Sequence, residues 1–83
     1  MLRISEIPTE GHLTLRLEGR LIGPWVSEVH ALAERYLSER RHLVFDLTDV
    51  AFVGTAGLRL LRELADRDVR LTNCSPFLAE QLR

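Results

Sequence analysis

The run Asp46-Leu47-Thr48-Asp49-Val50-Ala51-Phe52-Val53-Gly54-Thr55-Ala56-Gly57-Leu58 reads as a buried strand, a tight turn and the first turn of a helix. Two glycines flank a hydroxyl residue in the turn. This places Thr55 at or next to a helix N-terminus, where several backbone N–H groups have no partner within the helix. A hydroxyl there can cap the helix, and a phosphate there meets the positive end of the helix dipole. Gly54 and Gly57 fit a tight turn and a close approach to a neighbouring strand. The turn has neither the length nor the lysine of a phosphate-binding P-loop, which argues against nucleotide binding.

On the C-terminal side, Leu58, Leu61, Leu64 and Ala65 form a helical stripe that Leu60 widens and Asp66–Asp68 ends. Val69–Thr72 alternates as a short strand, Val69 and Leu71 inward. Ser75-Pro76 then opens a final helix, with Ser75 as N-cap, Pro76 at the first position and Phe77, Leu78 and Leu82 as its apolar face. On the N-terminal side, Leu43–Leu47 is a short apolar strand. Pro24 starts an amphipathic helix that ends near Arg40, with Val26, Val29, Ala33, Tyr36 and Leu37 on one side. Leu13, Leu15 and Leu17 alternate with Thr14, Arg16 and Glu18 in a half-buried strand. Residues 2–7, with Leu2, Ile4 and Ile7, supply its hairpin partner across a Pro8–Gly11 turn.

The order is therefore β-β-α-β-α-β-α, an α/β chain in which helices link parallel strands. Sheets covered on both faces have strands that are apolar throughout. These strands put polar residues on their second face. The expected architecture is one mixed four-stranded sheet, order 1-2-3-4, with the helices mainly on one face. At 83 residues, a single domain over 1–83 is expected.

A formal net charge of −1 gives no general attraction to nucleic acid, so no nucleic-acid partner is expected. Cys74 is the lone cysteine and cannot form an intrachain disulfide. No apolar run reaches the roughly 20 residues a membrane span needs, and no leader is evident, so a cytoplasmic protein without direct membrane insertion is expected. His12, His30 and His42 are dispersed, with no metal-ligand spacing. No acid–base pair or cofactor fingerprint appears. Catalytic residues, cofactor and metal are therefore all expected to be none, and the protein is not expected to be an enzyme.

The segments Gly11–Gly19, Asp46–Val50, Phe52–Leu58 and Leu71–Pro76 together resemble the STAS domain, the fold shared by sulfate-transporter tails and anti-sigma-factor antagonists. The resemblance implies a small non-enzymatic domain that binds a partner protein around its second helix. In anti-sigma-factor antagonists the central motif is Asp-Ser-Ser-Gly-Leu, its first serine phosphorylated by the partner kinase. On that pattern Gly54 stands at the aspartate, Thr55 at the phosphoacceptor, Ala56 at the second serine and Gly57 at the glycine. The hydroxyl survives and the acidic neighbour does not. The implied partner is an anti-sigma factor with serine-kinase character. The implied docking residues are Gly54, Thr55, Ala56, Gly57, Leu58, Arg59 and Arg62. Asp46, by its own place in the C-terminal half of its strand and near the same edge as Thr55, is expected to orient the loop by accepting backbone N–H bonds rather than to act in catalysis. The Thr-Ala-Gly turn is also similar to accessory STAS subunits of bacterial lipid-transport ATPases, where no phospho-switch is needed. A βα unit usual after the Ser75 helix has no counterpart, so the fourth strand is expected to be a sheet edge, and a homodimer through edges or the open face is a further expectation.

Competing readings come from the residues themselves. Thr55 as a helix cap is worth about 1 kcal/mol to the fold. Arg59 with Glu63 makes an ordinary i,i+4 pair on a solvated face, and Arg59 with Arg62 could instead meet an acidic partner. Trp25 is either core or interface anchor.

Overall fold

The computed structural model describes residues 1–83. In chain order it contains β1 (Leu2–Thr9), β2 (His12–Leu21), α1 (Pro24–Ser38), β3 (Leu43–Val53), α2 (Thr55–Asp66), β4 (Arg70–Thr72) and α3 (Pro76–Gln81). The four strands form one sheet in the order β1-β2-β3-β4. The β1–β2 pair is antiparallel; the other two pairs are parallel. This is the expected architecture.

Alternation in β2 sets the two faces. Leu13, Leu15 and Leu17 are buried with Leu43, Phe45 and Leu47 of β3, under Val29, Ala33 and Tyr36 of α1 and Leu60, Leu61 and Leu64 of α2. The opposite face carries Arg3, Arg16, Glu18, Asp46 and Asp49, with ion pairs Arg3–Glu18 and Arg16–Asp49. A charged face of this kind rejects a second layer of apolar helices, because burying its groups would cost their hydration.

Several boundaries differ from the sequence reading. The hairpin turn is only Glu10-Gly11, since Thr9 pairs with His12, and Gly11 takes the positive φ that the second central position of a type II turn requires. Pro8 thus lies inside β1, on the sheet's outer strand, where its missing N–H is tolerated. Ile7 is exposed, because it pairs with Thr14 on the polar face. Its neighbour Glu6 lies on the helix face instead, where its carboxylate accepts a hydrogen bond from the Tyr36 hydroxyl at 2.7 Å. β3 runs on from Leu47 to Val53, because β2 continues to Leu21 and keeps pairing with it across two register shifts. Within α2, Ala65 is exposed and Leu58 half-buried, so the buried stripe is Leu60, Leu61 and Leu64. Phe77 points away from the core; only Leu78 of α3 is fully inside.

Gly57 fixes how α2 sits on the sheet. A Cβ there would lie 2.8 Å from Val53 Cγ1 and 2.9 Å from the Leu21 carbonyl oxygen. The valine methyl can rotate; the carbonyl cannot. Alanine is otherwise the better helix residue by about 1 kcal/mol. Overpacking costs about 1–3 kcal/mol. The clash is with backbone, so it outweighs the propensity gain. Gly57→Ala should therefore lose about 1 kcal/mol of stability, seen as a lower urea midpoint at unchanged slope. A midpoint equal to or above that of the wild type would contradict the close approach.

Candidate functional site

The turn between β3 and α2 is shorter than the sequence suggests. Gly54 is the N-cap, in extended conformation, and Thr55 is already the first helical residue. Thr55 is therefore not the cap, as one reading of the sequence had it: glycine at the capping position brings no side chain, and the first turn has no side-chain cap. The Gly54 N–H donates to the Leu21 carbonyl at 3.1 Å, and its own carbonyl accepts from the Leu58 N–H. Thr55 is exposed. Its hydroxyl makes no hydrogen bond within the chain. No acidic residue occupies the first turn, so the positive end of the α2 dipole is left unneutralised beside that hydroxyl.

The structure divides the sequence-proposed docking residues between two places. Gly54, Thr55 and Leu58 line a groove of about 340 Å³ between the end of β3 and α3. Ala56 and Arg59 border a second, smaller recess against α1, beside Val26, Ser27 and His30. Gly57 is buried beneath the helix start. Arg62, one turn beyond Arg59, turns to α3 instead and donates to the Gln81 carbonyl. Glu63 does not pair with Arg59; it stands 4.0 Å from Arg67. Trp25 is half-buried and packs against the core.

Two aromatic residues complete the groove. Phe52, 50% exposed, and Phe77, 73% exposed, both line it. The sequence reading placed Phe77 in the core face of α3. Leu78 and Leu82, four residues apart, take the side of α3 that packs on the core, and Phe77, next to Leu78, falls off that side. Ser75 caps α3 as expected, accepting from the Leu78 N–H at 3.1 Å.

Asp46 lies on the polar face of β3, away from the groove. Its carboxylate accepts from both the Thr48 hydroxyl and the Thr48 N–H, and from the Asn73 side chain at 3.0 Å. It thus ties the bulged stretch of β3 to the residue that follows β4. These donors, the Thr48 hydroxyl foremost, hold its pKa below the ordinary carboxylate value.

Other polar groups have local partners. The donor atoms of His30, Glu34 and Glu63 lie within 4.8 Å of one another on the α1–α2 seam. The Arg67 guanidinium sits on Glu34 at 2.5 Å, supplying the positive charge that a metal would bring. Burial raises the Cys74 thiol pKa, which lowers its thiolate fraction and its reactivity. No helix is long and apolar enough to cross a membrane.

The STAS domain family profile matches residues 5–83, and the chain belongs to that family. The fold is similar to that of the anti-sigma factor antagonist SpoIIAA in its unphosphorylated form (TM-score 0.69, 20% identity, 96% of this chain and 79% of that one). It is equally similar to the phosphorylated form of SpoIIAA, described as a Bacillus cell fate determinant (TM-score 0.70, 19% identity, 96% and 78% of the two chains). An uncharacterised protein of the DUF3478 family from Shewanella loihica, with a SpoIIAA-like fold, aligns at TM-score 0.62 and 13% identity over 92% and 69% of the chains. At these identities the likeness is one of fold. Among curated proteins, none matches the chain significantly in sequence.

Removing the Asp46 carboxylate should unfasten β3 from Asn73. Asp46→Ala is expected to cost about 1 kcal/mol at neutral pH, through lost hydrogen bonds at a partly exposed site. A depressed folded-state pKa stabilises the fold above the unfolded value and loses that contribution as pH falls through the folded value. The gap between variant and wild type should therefore close below about pH 4. Denaturation midpoints measured from pH 7 to pH 2.5 test this; a constant gap would assign the effect to packing.

Proposed function

We propose that this STAS domain is a non-enzymatic docking module that binds a cytoplasmic regulator resembling an anti-sigma kinase through the start of α2, and that phosphorylation of Thr55 releases it. The observation that carries the reading is the exposed, unbonded hydroxyl of Thr55 at the first position of α2, on the rim of an apolar groove. A solved relative of the same fold exists in phosphorylated and unphosphorylated forms, which adds support for a switch of this type.

The physical logic is a difference in what the phosphate meets before and after docking. On the free domain, a charge of about −1.5 to −2 at the start of α2 is favoured by the helix dipole. Under a partner, the same dianion is stripped of water beside Phe52, Leu58 and Phe77 with no charged group in the groove lining to receive it. Leu58 and the two phenylalanines supply the desolvated contact, the type of surface where docking energy concentrates. Thr55 serves as the acceptor, Gly54 and Gly57 keep the approach open, and Ala56 and Arg59 extend the surface toward α1.

The alternative is a STAS accessory subunit of a lipid-transport ATPase, without a phospho-switch. Gly54 and Ala56 in place of the acidic residue and second serine favour it. Titration against the anti-sigma kinases of its own organism separates the two. Thr55→Ser should bind as the wild type does, and Thr55→Glu should lose about 30-fold in affinity, roughly 2 kcal/mol, with an unchanged far-ultraviolet spectrum. Equal affinities for Thr55 and Thr55→Glu would remove the switch. Absence of kinase binding together with a stable complex with a transport ATPase would establish the alternative.

A further inference from the structure

We propose that the groove between β3 and α3 takes an extended, uncharged apolar segment of the partner polypeptide as an added strand along β3. This rests on the docking reading above and specifies the chemistry of what docks. β4 pairs only with Val44–Asp46. β3 continues to Val53, so Leu47–Val53 has β2 on one side and no strand on the other. No backbone hydrogen bond joins that stretch to the segment after β4. The Thr48 N–H in that stretch is already taken by the Asp46 carboxylate, so the usable edge is Val50–Val53, the part that lines the groove: four residues, roughly 13 Å at about 3.3 Å per residue. Edge groups of this kind are templates for pairing, and strand addition is a general mode of peptide recognition.

The groove dictates what the added strand carries. Its volume is about 340 Å³. An apolar cavity of about 150 Å³ holds a benzene molecule, so there is room for two aromatic-sized side chains. Two such groups at i and i+2 fall on one face of an extended segment. The lining contains no charged residue. A charged side chain seated among these residues would lose its hydration, and the Arg20 guanidinium beside Phe52 is already stacked on that ring, 5.6 Å from its centroid. Phe52 and Phe77 stand half or more exposed at the walls, where an occupant would cover them. A docked helix would cover the same phenylalanines, but its backbone groups are satisfied internally. It would bury the open β3 edge without pairing it, which carries a desolvation penalty that a strand avoids.

A heptapeptide phage library panned on the intact chain provides the probe, followed by synthesis of the selected peptides with each backbone nitrogen methylated in turn. Neutral, apolar peptides are expected. N-methylation should weaken binding about tenfold or more at every second position and leave the positions between nearly unaffected, because only alternate N–H groups of a strand face its neighbour. Phe77→Glu, at an exposed site, should also weaken binding about tenfold by placing an unpaired charge in the groove. Failure to select any peptide, selection of charged peptides, or N-methyl losses without alternation would overturn the proposal. If such non-alternating peptides still lose affinity on Thr55→Glu, docking at this surface survives and strand addition falls. If neither Phe77→Glu nor Thr55→Glu weakens binding, both readings fall.

Discussion

The start of α2 is pinned by the Leu21 peptide group at the end of β2. That carbonyl accepts the Gly54 N–H, and the same oxygen lies 2.9 Å from where a side chain on Gly57 would begin. One backbone atom therefore holds the cap and limits the bulk of the helix three residues later. With the inner side of the first turn filled by β2 and Val53, the remaining residues of that turn, Thr55 and Ala56, face outward. The exposure of the hydroxyl follows from a packing constraint on its neighbours. It owes little to threonine's own preferences, since threonine is a mediocre helix residue that favours the cap.

The one-sided sheet governs where apolar surface remains. On the polar face, ion pairs and the Asp46 network satisfy the charged side chains; Ile7 is exposed there, and Phe52, in register with Arg20, lies under its guanidinium. On the helix face, α1 and α2 cover β2 and the first half of β3. β4 is only three residues long, so the second half of β3 extends beyond the protected part of the sheet. α3 reaches across this gap, held through Leu78 in the core and by the Arg62 bond to Gln81. Leu78 and Leu82 take the core side of this short helix, which leaves Phe77 outside it. The groove and its exposed phenylalanines are thus the residue of an incomplete cover. Surface of this kind, contiguous and rimmed by polar groups, is where association is favoured.

Much of this could be read from the sequence because local and global signals agreed. The Leu13-Leu15-Leu17 alternation, the helix starts at Pro24 and Pro76, and the Ser75 cap each follow from nearest-neighbour chemistry. The expectations that failed depended on pairing partners. Nothing local distinguishes Glu6 from Ile7 as the inward residue; the register against β2 decides it, and Tyr36 then supplies Glu6 with a donor. The true length of β3 depends on β2 continuing past Glu18. Helix ends were also obscured. α2 ends with Asp68 at positive φ, the Asp68 N–H bonded to the Ala65 carbonyl and the Val69 N–H to the Leu64 carbonyl. This is a Schellman arrangement made without glycine, with Val69 packed inside as its hydrophobic contact. At the candidate site, the hydroxyl's position at the helix start was legible. The aromatic walls were not, because exposure of Phe52 and Phe77 is set by how much of β3 the rest of the chain manages to cover.

The shift of Thr55 from the capping position to the first helical position changes what a modification there would do. A cap hydroxyl is engaged by the N–H groups it serves, and modifying it takes away a bond worth about 1 kcal/mol. A first-turn hydroxyl with no internal bond has nothing to lose, and an anion placed there gains from the dipole by about 0.3–1 kcal/mol at an exposed site. Modification would thus leave the domain at least as stable as before. If a partner docks as proposed, only the complex would register the charge, because docking removes water from it beside an uncharged groove. On the proposed reading, folding and binding would be separately addressed by the same side chain, and glycine at the cap would be what separates them: Gly54 carries the turn by its backbone alone and leaves the neighbouring hydroxyl free.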